Sequence, residues 1–283
     1  MAGASLKPGL TTRFAPSPTG WLHLGHALSA ITGHDRARAA GGRFLLRIED
    51  TDRARCRPEY DAAILDDLTW LGLTWDGPVL RQSAHLGDYE AALDRLIALG
   101  LCYPCCCSRA EIRAALSAPQ EGAVPPAYPG TCRHRTMADR GPGDAIRLDM
   151  ARALAATGPL SFLEIGPERE GIWPLDPAQV IAHDGDIVLS RRDIGPAYHL
   201  TVVVDDARQG VTEVTRGLDL FEASFPQIVL QALLELPQTS YYHHRLIRDE
   251  TGKRLAKRDD ARALCRYRAD GATPQDIRRM VGL

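Results

Sequence analysis

Residues 13–26 read Arg13-Phe14-Ala15-Pro16-Ser17-Pro18-Thr19-Gly20-Trp21-Leu22-His23-Leu24-Gly25-His26, and this stretch decides the fold. Its start continues a short run from Thr11 to Ala15 that stops at Pro16 and Pro18, the pattern of a buried strand ending in a tight turn. Beyond Gly20 the period changes. Leu24, Leu28 and Ile31 recur at helical spacing, and the Gly41-Gly42 pair closes the segment. Arg43 to Glu49, carrying Phe44, Leu45, Leu46 and Ile48, then reads as a second strand. Strand, helix, strand is the opening of an α/β fold on a parallel sheet. The turn into the helix also carries chemistry. A helix N-terminus offers unpaired amides and the positive end of its dipole, which suits a phosphate. Gly25 lets a nucleotide lie close to the backbone. His23 and His26 can donate hydrogen bonds to oxyanions developing on phosphorus.

Working outward, residues 1–9 read as a loose tail, and Glu59–Leu71 and Asp88–Leu99 as helices. Cys102 to Cys132 is cysteine-rich, then proline-rich, and reads as an insertion. Strands are expected at Ile146–Asp149, Ser161–Ile165, Ile187–Ser190 and Val211–Arg216. A further strand is expected at Thr201–Asp205, apolar enough to be central. Phe225–Leu234 reads as a helix, and the C-terminal part as a loop over Asp249–Lys257 followed by two short helices. There is no internal repeat. The expected architecture is a Rossmann-like parallel sheet with helices on both faces, which binds nucleotides at the carboxyl ends of its strands.

The 283 residues are 45% hydrophobic and 25% charged, with a formal net charge of −2, so the whole molecule is not a basic nucleic-acid coat. Residues 243–283 form one basic patch, eleven Lys or Arg against six Asp or Glu. No signal peptide is visible, and no apolar run approaches the roughly 18 residues of a membrane span. A cytoplasmic protein is expected, in which the seven cysteines stay reduced. Five of them, Cys102, Cys105, Cys106, Cys107 and Cys132, crowd one segment, a pattern that suggests zinc. Spacing alone does not choose the ligands, since Cys102, Cys106 and His134 are also eligible. Near the end, Gly252-Lys253-Arg254-Leu255-Ala256-Lys257-Arg258 is a glycine-led cationic loop suited to clamping a triphosphate.

Together these features resemble the class I aminoacyl-tRNA synthetases: HLGH stands where that family has HIGH, and RLAKR where it has KMSKS. RFAPSPTG, Arg47-Ile48-Glu49-Asp50-Thr51-Asp52, Val203-Val204-Asp205-Asp206 and Val214-Thr215-Arg216-Gly217 look like the glutamyl-tRNA synthetase catalytic domain, in the expected order and over most of the chain. Two features are similar to its shortened paralogues, the glutamyl-queuosine tRNA(Asp) synthetases. The sequence ends soon after the KMSKS-like loop, so no anticodon-binding domain is expected. It also carries Cys-x-Cys followed downstream by Tyr-x-x-x-Cys.

The resemblance implies adenylation of L-glutamate by ATP with Mg2+ and transfer to the queuosine base in the anticodon of tRNA(Asp). It implies a glutamate site at Arg13, Phe14, Ala15, Pro16, Ser17, Glu49, Tyr198 and Arg216, with Glu49 reading the α-amino group. An ATP site is implied at His23, Gly25, His26 and Lys257, of which His23, His26 and Lys257 are catalytic. One structural zinc is implied on Cys105, Cys107, Tyr128 and Cys132. Arg254 and Ala256 depart from the KMSKS pattern: the arginine keeps the charge with a different geometry, and the alanine loses a hydroxyl. The implied layout is a first Rossmann half over 1–101 and a zinc-bearing part of an inserted lobe over 102–150, its far boundary open as far as 180. A second Rossmann half follows over 181–240, and a helical C-terminal appendage over 241–283. A monomer is expected. A truncated glutamyl-tRNA synthetase charging an acceptor end is the nearest rival; the missing anticodon domain speaks against it. A non-catalytic tRNA-binding paralogue is the other, against which stand the intact HLGH, Glu49 and Lys257.

Overall fold

Strand β1 (Thr11–Phe14) and strand β2 (Arg43–Ile48) pair in parallel, Thr11 opposite Arg43 through Phe14 opposite Leu46, with helix α1 (Leu24–Ala39) connecting them. The computed structural model describes residues 9–108, 111, 127–247 and 262–283. The loop Gly252–Arg258, and Lys257 with it, lies outside them. β1 and all but the first residue of β2 are buried, as suits parallel strands covered on both faces. α1 packs Ala27, Leu28, Ala30 and Ile31 into the core of this half, and the Thr12 hydroxyl donates to the Gly33 carbonyl at 2.7 Å, fastening helix to strand.

β3 (Leu80–Arg81) extends the sheet beyond β2. On the other side β10 (Glu213–Gly217) runs beside β1, where the Thr212 amide donates to the Thr11 carbonyl at 3.0 Å. β10 pairs in parallel with β11 (Ser240–His244), β11 with β6 (Ser161–Glu164), and β6 antiparallel with β7 (Gly171–Pro174). The chain therefore leaves β1 in one direction through β2 and returns on its other side through β10. The gap between β1 and β10 is a topological switch point, where open α/β sheets bind ligands at the carboxyl ends of their strands.

A second, antiparallel sheet is ordered β4 (Cys102–Cys105), β5 (Ala145–Leu148), β8 (Val188–Arg191), β9 (Gly195–Pro196). Helices α2 (Pro58–Trp70) and α3 (Leu86–Ala98) precede it. Helix α4 (Met150–Thr157) and helix α5 (Pro177–His183) follow β5 and β7. The segment from 102 to 197 thus feeds both sheets, since β6 and β7 return to the parallel one.

Two expectations are corrected. Thr201–Asp205 is not a central strand but the middle of helix α6 (Tyr198–Gln209), which ends at Gly210 in the left-handed conformation, φ 65°. Leu200, Val202 and Val203 enter the core shared with the antiparallel sheet and helix α7 (Ser224–Leu233), while Asp205 and Asp206 are also buried. A helix buried on most of its circumference loses the 3.6-residue alternation that marks one, and its β-branched run reads as a strand. The C-terminal segment, in turn, is no appendage. Helices α8 (Leu264–Ala269) and α9 (Pro274–Met280) bring Leu264, Ile277 and Val281, all fully buried, into the core around α1. Arg278 pairs with Asp35 of α1 at 2.6 Å, and the Leu264 amide donates to the Leu22 carbonyl at 2.8 Å. Among the described residues no helix is long and apolar enough to cross a membrane.

Candidate active site

The carboxyl ends of β1 and β10 open into one cleft of about 800 Å³. Arg13 to Ser17, His23, Gly25, His26, Glu49, Tyr198 and Arg216 all line it, so every expected substrate residue among the described ones meets there. The local causes are visible in the backbone. Pro16 and Pro18 turn the chain away after β1, and the Glu49 amide donates to the Pro16 carbonyl at 3.0 Å, which ties the end of β2 to that turn.

The helix start is built from its histidines. His23 is the N-cap of α1, and its Nδ1 accepts the Gly25 amide at 3.1 Å; His26 Nδ1 accepts the His23 amide at 3.2 Å. This is a capping box in which imidazoles replace the usual hydroxyl and carboxylate. A ring nitrogen that accepts an amide proton carries none of its own, so both neutral rings bear their proton on Nε2. The rings lie 3.8 Å apart between centroids. Gly25 matters for a reason that the sequence did not reveal: a Cβ there would stand 3.0 Å from the His23 ring.

The floor of the cleft is a buried charge cluster. Asp206 accepts from Arg13 at 3.0 and 3.3 Å and from Arg47 at 2.7 Å. Arg47, fully buried, also reaches Glu49 at 3.4 Å and lies 3.7 Å from Asp205. Asp205 in turn accepts from Gln82 at 2.8 Å and from the Tyr89 hydroxyl at 2.9 Å. Burial alone would raise the Asp206 carboxyl, but Arg13 and Arg47 outweigh it and hold it below the usual carboxylate range. Burial prevails at Glu49, whose carboxyl is pushed up despite Arg47 and Arg13. One edge of the Arg13 guanidinium is thus taken by Asp206, and only its Nη1, 3.4 Å from the Thr215 carbonyl, lies away from that carboxylate.

Arg216, nearly buried, is held from all sides. Its Nε donates to His243 Nε2 at 3.0 Å, Nη1 to Gln227 at 2.9 Å and to the Tyr198 hydroxyl at 3.4 Å, and Nη2 to Ser224 at 2.8 Å. Sequence reading missed His243, Arg47 and Asp206 as parts of this site. Arg47 and Asp206 stood inside recognised motifs, whereas Tyr241-Tyr242-His243-His244 carried no motif at all.

The expected metal ligands also converge. The sulfurs of Cys105, Cys107 and Cys132 all lie within 4.8 Å of one another, with Cys107 and Cys132 3.4 Å apart. The Tyr128 hydroxyl is 3.4 Å from Cys105 and 3.5 Å from Cys107. Ligands about 2.3 Å from a tetrahedral zinc stand about 3.8 Å apart, so this donor set fits one. Burial would raise the Cys132 thiol, but hydrogen bonds from Tyr128, Cys107 and Cys106 pull it down to about 6. Of the alternatives that spacing left open, Cys102 is buried in the apolar core, its thiol pushed up to about 12 by burial. His134 lines a separate cavity, and Cys106 stays within 3.8 Å of Cys132.

The sequence model of tRNA synthetases class I (E and Q), catalytic domain, matches residues 9–153 and 175–283. The chain is 59% identical over 97% of its length to a glutamyl-Q tRNA(Asp) synthetase of Rhodobacter capsulatus, covering 100% of that protein. It is 44% identical to one of Nocardia farcinica, over 94% of this chain and 81% of the other. Among solved structures it is similar to a glutamate tRNA ligase of Elizabethkingia meningosepticum in complex with its amino acid, at a TM-score of 0.77 and 25% identity. That match covers 97% of this chain but only 60% of the ligase. Sheet order, switch-point cleft and histidine-capped helix thus accompany a match over nearly the whole sequence, and the chain belongs to the class I tRNA synthetases of the glutamyl and glutaminyl branch.

Proposed function

We propose that this chain activates L-glutamate with ATP and transfers the glutamyl group to the queuosine base in the anticodon of tRNA(Asp). The observation that carries the activation step is the meeting of His23, His26, Glu49, Tyr198 and Arg216 on one cleft at the switch point. The acceptor is inferred from the relative that matches end to end, the glutamyl-Q tRNA(Asp) synthetase of Rhodobacter capsulatus.

In this reading Glu49 faces the α-ammonium of glutamate. Arg216 and the Tyr198 hydroxyl take the side-chain carboxylate, and Arg13 adds positive potential beside Ser17. The α-carboxylate oxygen then attacks the α-phosphorus of ATP in line with the leaving pyrophosphate. His23 and His26, each with its proton on Nε2, donate to the phosphate oxygens as charge builds on them. Lys257 completes the clamp from the late loop. Mg2+ bound with the triphosphate would offset part of its negative charge. In the second step a ring hydroxyl of queuosine attacks the mixed anhydride, and AMP leaves. Positioning and electrostatics supply the catalysis, and no side-chain nucleophile is needed.

The antiparallel sheet with its cysteine knuckle forms, in the same proposal, an inserted lobe that faces the tRNA. Cys105, Cys107, Cys132 and Tyr128 would hold a structural zinc that pins the lobe, and the protein would work in the cytoplasm. Glutamate-dependent ATP–pyrophosphate exchange tests the activation step. Exchange with glutamate and not with glutamine or aspartate is expected; no exchange with any amino acid, with tRNA present or absent, overturns it.

A further inference from the structure

Behind Arg216 lies a second pair that the binding of glutamate would not touch. Glu164 ends β6 and is fully buried; His243, on β11, is 1% exposed. His243 Nδ1 is 2.5 Å from Glu164 Oε2, and Glu164 Oε1 accepts the amides of His243 at 3.0 Å and Gly166 at 2.6 Å. The space around that carboxylate is kept clear. A Cβ on Gly166 would stand 2.4 Å from the His243 carbonyl and 2.6 Å from Glu164 Oε1.

The chemistry of these contacts fixes a proton. Glu164 only accepts at every contact it makes here, so the His243 proton facing it sits on Nδ1. His243 Nε2 then carries a lone pair, which meets the Arg216 Nε–H at 3.0 Å. The opposite tautomer would set a donor against a donor. The His243 ring is boxed in by Phe221, 5.2 Å away edge-on, and by Tyr241, 5.7 Å away and stacked. Rotation out of the pairing is therefore blocked by packing. Held at Nε, the guanidinium plane keeps Nη1 on Gln227 and Tyr198 and Nη2 on Ser224.

We propose that Glu164 and His243 are positioning residues that lock Arg216 as a donors-only wall and so set the choice of glutamate over glutamine. The inference rests on the reading of Arg216 as the partner of the substrate's side chain. The Tyr198 hydroxyl accepts from Arg216 and is thereby left to donate to the substrate. A carboxylate satisfies both donors, whereas the amide nitrogen of glutamine would bring hydrogens against them. With Arg216 released, Tyr198 regains the freedom to accept, and glutamine becomes tolerable.

The test is Glu164→Gln, nearly isosteric. Its amide can donate to His243 Nδ1 and so favours the wrong tautomer. Nitrogen NMR of the histidines would report His243 protonated at Nδ1 in the wild type and at Nε2 in the variant. In ATP–pyrophosphate exchange the variant is expected to raise KM for glutamate about 10- to 100-fold and to lose glutamate-over-glutamine selectivity by at least about 10-fold. KM for ATP and kcat at saturating glutamate stay within about twofold, since uniform binding alone is lost. His243→Leu, which removes the acceptor, loses more selectivity than His243→Gln, which keeps an oxygen for Arg216. Unchanged glutamate KM and selectivity in a folded Glu164→Gln protein would overturn the positioning role, as would a proton on Nε2 of His243 in the wild type. Wild-type protein without glutamate-dependent exchange would instead overturn the activation reading, and the NMR result would still judge the tautomer.

Discussion

In the proposed mechanism His23 and His26 perform two tasks with one ring each. Nδ1 caps the helix, and Nε2 carries the proton that the proposed step donates. The tasks can be separated, because an asparagine oxygen sits near the place of Nδ1 and has nothing at Nε2. His26→Asn is therefore expected to keep the cap and the fold while kcat for exchange falls about 10²- to 10³-fold, the usual loss when one oxyanion donor is removed. Thermal melting and steady-state exchange check the two halves; a fall in melting temperature with activity preserved would leave His26 only a structural role. At this scale the sequence was legible where residues act in a local run. His23, Gly25 and His26 are neighbours, and Arg13 and Ser17 stand four positions apart, at the end of β1 and on the turn that follows it. Glu164 and His243 stand 79 residues apart and meet only because β6 and β11 pair. No local pattern carries such a contact.

Helix α6 was the element least legible in the sequence. Its Thr201-Val202-Val203-Val204 run has the composition of a strand, and its burial hides the helical period. The helix brings Tyr198 to the cleft, Asp205 and Asp206 to the charge cluster, and His199 into a setting of its own. His199 Nδ1 is buried without a hydrogen-bond partner among the described residues, and burial, reinforced by the charge of Arg216, pulls the ring down to about 4. A histidine that titrates lower in the folded than in the unfolded chain stabilises fully only above its unfolded value near 6.5. As pH falls from there, the unfolded state takes up the proton first, and stability drains until about 4. Its slope cannot exceed about 1.4 kcal/mol per pH unit for one proton. His199→Leu is expected to flatten the dependence of unfolding free energy on pH between these limits, measured by urea denaturation. An unchanged slope would show that other groups set it. By contrast β2 and α7 were legible to within a residue, and α1 at its C-terminal end, because glycine, proline or a clear change of period bounds them.

Across the whole molecule, the two sheets divide the work. The parallel sheet builds the cleft proposed for activation, and the antiparallel sheet carries the cysteine knuckle at the end of β4. The knuckle is pinned from behind by Arg147, whose guanidinium lies 3.8 Å from the centre of the Tyr128 ring, and by Arg192, which donates to the Cys106 and Cys107 carbonyls at 2.8 and 2.9 Å. If zinc closes this site, Cys132→Ser removes it, lowers the melting temperature and impairs transfer to tRNA while exchange persists. Metal analysis of purified protein should find one zinc per chain in the wild type and none in the variant. A zinc retained after the substitution would mean that Cys106, 3.8 Å from Cys132, supplies the ligand instead. The claim that joins both sheets is that an adenylate made in one is delivered to an RNA held by the other. Its most direct measurement is transfer of labelled glutamate from ATP-activated enzyme to tRNA(Asp) with queuosine, tRNA(Asp) without it, and tRNA(Glu). The account predicts label on the queuosine-containing tRNA(Asp) alone; label on tRNA(Glu), or on tRNA(Asp) regardless of queuosine, would contradict it.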